Sequence, residues 1–121
     1  MPTSTVSPTA TTISVTVEAL RLAEAFGISP ATMNDVLNSS SGRSNTSENK
    51  VTQFMLDGSF SSGFALQLMA KDVRIAVDLA RSLGQTPAVA GAADAQWSRI
   101  AAAVTPATDH TAMYDLIGES S

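Results

Sequence analysis

The chain has 121 residues, the size of one domain, with 44% apolar residues but only 5% aromatic, so its core is built from Ala, Val, Leu, Ile and Met. That apolar content with only 15% charge excludes disorder throughout, and zero cysteines exclude a disulfide scaffold, zinc–thiolate sites and cysteine nucleophiles. A net charge of −4 with 7 basic residues is unsuited to neutralising a nucleic-acid backbone.

The first twelve residues hold seven Ser or Thr and two Pro, a composition that is expected to fray before merging into helix. This sets an expected division into an N-terminal segment, 1–12, and a helical domain, 13–118. From Ile13 two apolar stripes run side by side: Val15, Ala19, Leu22 and Phe26, and next to them Ile13, Val17 and Leu20. Such a wide apolar face predicts a helix buried on more than one side. Gly27 ends it, and Ser29-Pro30 opens a second helix through Met33, Val36 and Leu37 to Asn38.

Residues 39–50 read as a polar loop in which Thr46 or Ser47 can cap a third helix bearing Val51, Phe54 and Met55. Turns follow at Asp57-Gly58-Ser59 and Ser61-Ser62-Gly63. Residues 65–83 carry the clearest helical period, with Leu66, Met69, Val73, Ala76 or Val77, and Ala80 on one side. Lys71, Arg74, Asp78 and Arg81 form a polar stripe on the other, with Arg74–Asp78 as an i,i+4 pair. Gly84 closes that helix. Thr86-Pro87 opens another, through Val89, Ala93, Trp97 and Ile100 to Val104, with Thr86 as cap and Trp97 as a packing residue. Thr105-Pro106 breaks it, and Thr108 or Asp109 caps a last helix ending at Gly118. No segment alternates with a period of two. The predicted class is all-α, a bundle of five to six helices.

Motif chemistry is sparse. No nucleophile elbow and no glycine-rich phosphate loop is present. The single histidine, His110, reads as a surface residue at a helix start. Two segments carry more: Ser39-Ser40-Ser41-Gly42-Arg43-Ser44, whose hydroxyls and guanidinium suit a carboxylate or phosphate, and Gly63-Phe64 followed by Lys71-Asp72. Nothing approaches a membrane span, and the N-terminus lacks a basic-then-apolar signal. Its first arginine, Arg21, already lies inside a helical pattern, against a transit peptide, so the expected location is cytoplasmic.

Taken in order, residues 17–24, Gly27, Val36-Leu37-Asn38, Ser40-Ser41-Gly42-Arg43-Ser44, Gly63-Phe64 and Leu68-Met69-Ala70-Lys71-Asp72-Val73 resemble the 3-hydroxyisobutyrate dehydrogenase (β-hydroxyacid dehydrogenase) family. The resemblance is to that family's C-terminal helical domain, a fold like the 6-phosphogluconate dehydrogenase C-terminal domain. Its most specific motif, K-D-L-G-x-A-x-D, stands here as residues 71–78. The resemblance implies that Lys71 reaches NAD or NADP near the nicotinamide, that Phe64 packs beside it, and that Ser40, Ser41 and Gly42 border the substrate, a small 3-hydroxy acid. It implies that Asp72 and Asp78 orient Lys71 and Arg74, or serve the helix, and do not touch substrate.

Departures from the pattern are equally informative. No G-x-G-x-x-G segment of a dinucleotide-binding domain is present. The register of the family's acid/base lysine falls near Pro2, and its asparagines fall at Thr5 and Val6, so no catalytic residue is expected. The motif's glycine is Arg74. The expected function is therefore one wall of a dehydrogenase cleft, inactive alone. The alternative is a catalytically inert helical oligomerisation or interaction module. Either way a homodimer or larger is expected, built on the helix of residues 13–26 and the Ala-rich helix around Trp97.

Overall fold

The computed structural model describes the backbone of residues 3–119 and the side chains of residues 8–117. Five α-helices run in chain order: α1 (Thr3–Ala25), α2 (Pro30–Asn38), α3 (Leu66–Ser82), α4 (Ala88–Ala101) and α5 (Met113–Glu119). A π-helix, Thr46–Met55, lies between α2 and α3, and a 3-10 turn, His110–Ala112, leads into α5. No strand occurs among the described residues; an isolated antiparallel bridge pairs Ala65 with Asp109. The all-α class is what the periodicity predicted. No helix among the described residues is long and apolar enough to cross a membrane.

α1 is the central post. It packs on α3, α4, α5, α2 and the π-helix, while α3 packs along α4. Its Ile13, Val17 and Leu20 are fully buried, together with Val73 and Val77 of α3, Trp97 of α4 and Met113 of α5. The Trp97 indole donates to Ser14 Oγ at 2.9 Å, so the largest core ring also satisfies its polar atom. Trp97 thus belongs to the interior, and its helix cannot offer that ring to a second copy.

Only one of the two α1 stripes is covered. Val15, Leu22 and Phe26 remain 58%, 64% and 81% exposed, contrary to burial on both sides. Five surrounding elements suffice to cover one broad arc, and the stripe through Leu22 lies outside it. α1 also begins at Thr3 and runs unbroken through the division expected at residue 12, with Pro8 inside the helix. Burial of Ala10 and Ile13 anchors these turns despite their composition. Met1 and Pro2 lie outside the described residues.

Side-chain caps mark the starts of α2, the π-helix and the 3-10 turn. Ser29 Oγ accepts from the Thr32 amide at 3.1 Å, with Pro30 at the first helical position. The π-helix is capped by Ser44, not by Thr46 or Ser47: Ser47 N–H donates to Ser44 Oγ at 3.2 Å and Ser44 N–H to Ser47 Oγ at 2.9 Å. This reciprocal pairing is the geometry of a capping box. Asn34 and Asn38 of α2 both donate to the Ser47 carbonyl, at 2.8 and 3.1 Å, which ties α2 to the π-helix. At α4, Pro87 itself holds the cap position and Thr86 makes no capping bond.

Candidate functional site

α3 and α4 flank an open concavity of about 400 Å³, lined by Gln67, Ala70, Lys71 and Arg74 of α3 and by Ser98, Ala101 and Ala102 at and just past the end of α4. Residues 67, 71 and 74 are one turn apart and share a face. The Lys71 side chain is exposed, and its ammonium has no hydrogen-bond or ion-pair partner among the described residues. Alanine methyl groups leave room in front of it.

Arg74 does not pair with Asp78 as the spacing suggested. It reaches across to α4, where its Nε donates to both oxygens of Asp94 at 2.9 and 3.0 Å, and Nη2 donates to Ser98 Oγ at 3.1 Å. The Asp94 side chain is only 6% exposed, so the buried carboxylate outcompetes one on the solvated face. Its hydrogen bond holds the Arg74 guanidinium above its ordinary pKa. Asp94, not Asp78, is the residue that orients Arg74.

Phe64 opens on a second concavity, of about 350 Å³, with Phe60, Ser61, Gly63, Ala65, Ala107 and Asp109. Phe60 holds a left-handed backbone, φ 44°, where an aromatic residue is rare. Behind Phe64 lies a polar cluster that sequence reasoning missed. His110, expected at the surface, is 3% exposed. Its ring meets Phe64 edge-on at 5.7 Å. Lys50 Nζ lies 2.9 Å from His110 Nε2. An ammonium can only donate, so Nε2 accepts and the ring proton sits on Nδ1. There it faces the Phe64 carbonyl at 3.1 Å and Ser62 Oγ at 3.0 Å.

Asp109 completes the cluster. It accepts from Ser62 Oγ, from the Gly63 and Phe64 amides, and from the Thr111 amide and hydroxyl. Burial pushes its pKa up, but these bonds, led by Thr111, outweigh burial and hold it below the ordinary carboxylate value. Burial lowers the pKa of Lys50, against the attraction of Asp109. Burial and then the Lys50 charge lower His110. The legible signal was Asp109 as a helix cap. Lys50 and His110 are 60 positions apart, and no local pattern links them.

Ser40, Ser41 and Gly42 form an exposed turn after α2. Ser40 Oγ donates back to the Leu37 carbonyl at 3.3 Å, and Arg43 pairs with Glu48 at 2.9 Å. A third concavity, about 410 Å³, begins just beyond, lined by Ser44, Asn45, Thr46 and Lys50 with Pro8, Thr9 and Thr12 of α1. The expected site residues therefore fall in three places. Lys71 and Phe64 line separate concavities, and the turn at 40–42 lines neither of theirs.

Sequence comparison decides the lineage. A family model described as NAD-binding of NADP-dependent 3-hydroxyisobutyrate dehydrogenase matches residues 8–117. The chain belongs to this family. It is a helical NAD-binding domain, of a family whose cofactor is NAD or NADP, and the exposed Lys71 amine beside a methyl-lined floor is chemically compatible with such an anionic group. The 2-(hydroxymethyl)glutarate dehydrogenase of Eubacterium barkeri is 39% identical over 70 residues, 58% of this chain and 23% of that protein. Two solved structures share the fold. The Mycobacterium tuberculosis 3-hydroxyisobutyrate dehydrogenase, studied with L-serine, matches with a TM-score of 0.84 at 23% identity, over 95% of this chain and 41% of that one. The Salmonella typhimurium 3-hydroxyisobutyrate dehydrogenase matches with a TM-score of 0.83 at 24% identity, over 94% of this chain and 40% of that one. The chain thus spans less than a quarter of the curated relatives it matches.

Proposed function

We propose that this domain forms the helical wall of an NAD(P)-dependent dehydrogenase for a small 3-hydroxy acid. In this reading Lys71 contacts the cofactor, Phe64 shields the reacting centre from water, and the turn at Ser40, Ser41 and Gly42 borders the substrate. The bound dinucleotide would supply the hydride acceptor. Lys71 donates hydrogen bonds to its hydroxyl or phosphate oxygens as a mobile point charge. The observation that carries this reading is the Lys71 ammonium, the one cation of α3 with an open cavity and no internal partner among the described residues. The domain unit is residues 13–118, with the first turns of α1 as an extension.

The proton acceptor for the hydroxyl is assigned to none of these residues, since the family register places it near Pro2. We therefore expect no turnover of a 3-hydroxy acid by the chain alone. The binding test is a titration with NADH followed by amide NMR. Millimolar binding lost in Lys71→Ala supports the reading; no binding, or binding indifferent to Lys71, overturns it.

The alternative reading, an inert oligomerisation or interaction module, rests on the open stripe of Val15, Leu22 and Phe26. The two readings are compatible if that stripe meets a second copy. We place the protein in the cytoplasm.

A further inference from the structure

The α3–α4 concavity holds a second cation where the family motif has a small residue. We propose that Arg74, braced by Asp94 and Ser98, joins Lys71 in a two-cation site for a compact oxyanion, a phosphate or carboxylate. The inference deepens the cofactor-wall reading, because it concerns the same concavity.

The geometry separates two jobs within one guanidinium. Asp94 occupies the Nε edge through both its oxygens, and Ser98 takes one hydrogen of Nη2. Ser98 Oγ in turn donates to Asp94 at 3.2 Å, which closes a three-residue brace. Nη1 and the second hydrogen of Nη2 have no partner among the described residues. A guanidinium gripped along one edge keeps its other donors fixed in space, so an incoming oxyanion meets them at little cost in ordering. Lys71, one turn earlier, adds a mobile charge that adapts to the second oxygen or to a second anionic group. Gln67 supplies no competing charge, and its amide is committed to the Ala101 and Val104 carbonyls at 3.2 and 2.8 Å. Ala70, Ala101 and Ala102 form a methyl floor that leaves room for an oxyanion in front of both charges. The chain as a whole carries −4, so bulk attraction for anions is absent and capture must be local.

The oxyanion has two chemical sources, a phosphate of the dinucleotide or a carboxylate of the substrate. The test is amide NMR on the whole chain, titrated separately with inorganic phosphate, succinate and NADH. Phosphate is expected to shift the signals of Lys71, Arg74, Ser98 and Ala102. Binding should weaken about tenfold in Arg74→Gln, the value of one charge-assisted hydrogen bond pair. Since that variant strips a buried Asp94 of its partner, the double variant Arg74→Gln/Asp94→Asn keeps the fold testable and should bind equally weakly. Arg81→Gln, on the same helix but outside the concavity, should bind as the parent does.

If NADH binding falls in parallel with Arg74→Gln, the cofactor phosphate is the source; if succinate binding falls while NADH binding holds, the substrate carboxylate is. No phosphate binding up to about 50 mM, far weaker than a paired-cation site allows, or equal binding by Arg74→Gln, overturns the inference. The failures are distinguishable. Phosphate binding that depends on Arg74 without NADH binding removes the cofactor reading and leaves the oxyanion site. NADH binding that depends on Lys71 alone does the reverse.

Discussion

Protonating His110 would set a second positive charge 2.9 Å from the Lys50 ammonium, inside the fold. The folded-state pKa of His110 lies below its ordinary value of 6.5, so the folded chain binds fewer protons than the unfolded one in acid. Its stability contribution is complete above about pH 6.5 and is lost as pH falls through the folded pKa. Asp109, also lowered, adds a loss in the same direction below its ordinary 3.8. Lys50 acts only on the alkaline side, where its lowered pKa lets stability rise as pH climbs toward 10.5. Urea midpoints should therefore drop between pH 7.5 and 5.5, and His110→Phe should flatten that drop. Equal midpoints in the parent at the two pH values would refute the assignment. Trp97 is the other residue whose removal is costly. Its side chain is fully buried, so Trp97→Ala should destabilise by about 3–5 kcal/mol, measured by the shift of the urea transition in circular dichroism. Burial at Trp97 was readable from its i, i+4 spacing with Ala93. Burial at His110 was not, because Lys50 of the π-helix and Ser62 and Phe64 of the loop before α3 reach it from far away in sequence.

Elements announced themselves where their signals are local. The Ser29-Pro30 start of α2 is a side-chain-to-backbone bond three residues long, and the sequence carries all of it. Ser29→Ala should cost about 1 kcal/mol in urea unfolding, with no change in the far-UV spectrum of the folded state. A loss above about 3 kcal/mol would mean that Ser29 does more than cap. α3 was legible to within a residue at each end, since its apolar period is long and regular. The π-helix was less so. Its boundaries rest on Ser44 and Ser47 pairing reciprocally inside a stretch rich in serine, where several residues were equally able to cap. Arg74 misled for a related reason. Asp78 was the carboxylate one turn on along the same helix face, but the buried one on a neighbouring helix wins, and neighbours in space are not given by spacing in sequence.

At the level of the whole molecule, the family and the all-α class were both visible in motif order and periodicity, while the arrangement of the site was not. Phe64 and Lys71, close together in the chain, line different concavities, one at the loop before α3 and the other between α3 and α4. The exposed apolar stripe of α1 ends at Phe26, which is 81% exposed. A second copy covering Val15, Leu22 and Phe26 would make sedimentation velocity report a dimer at high micromolar concentration, and Phe26→Ser should return it to a monomer. A monomeric parent chain under those conditions would refute the dimer.

The chain has one tryptophan, and its indole is clamped between α4 and the Ser14 turn of α1. That single ring is a built-in optical reporter. Its native fluorescence should be blue-shifted, and any partner or ligand that levers α1 away from α4 should redden it. Docking against a second domain can thus be followed in real time, without attaching a dye.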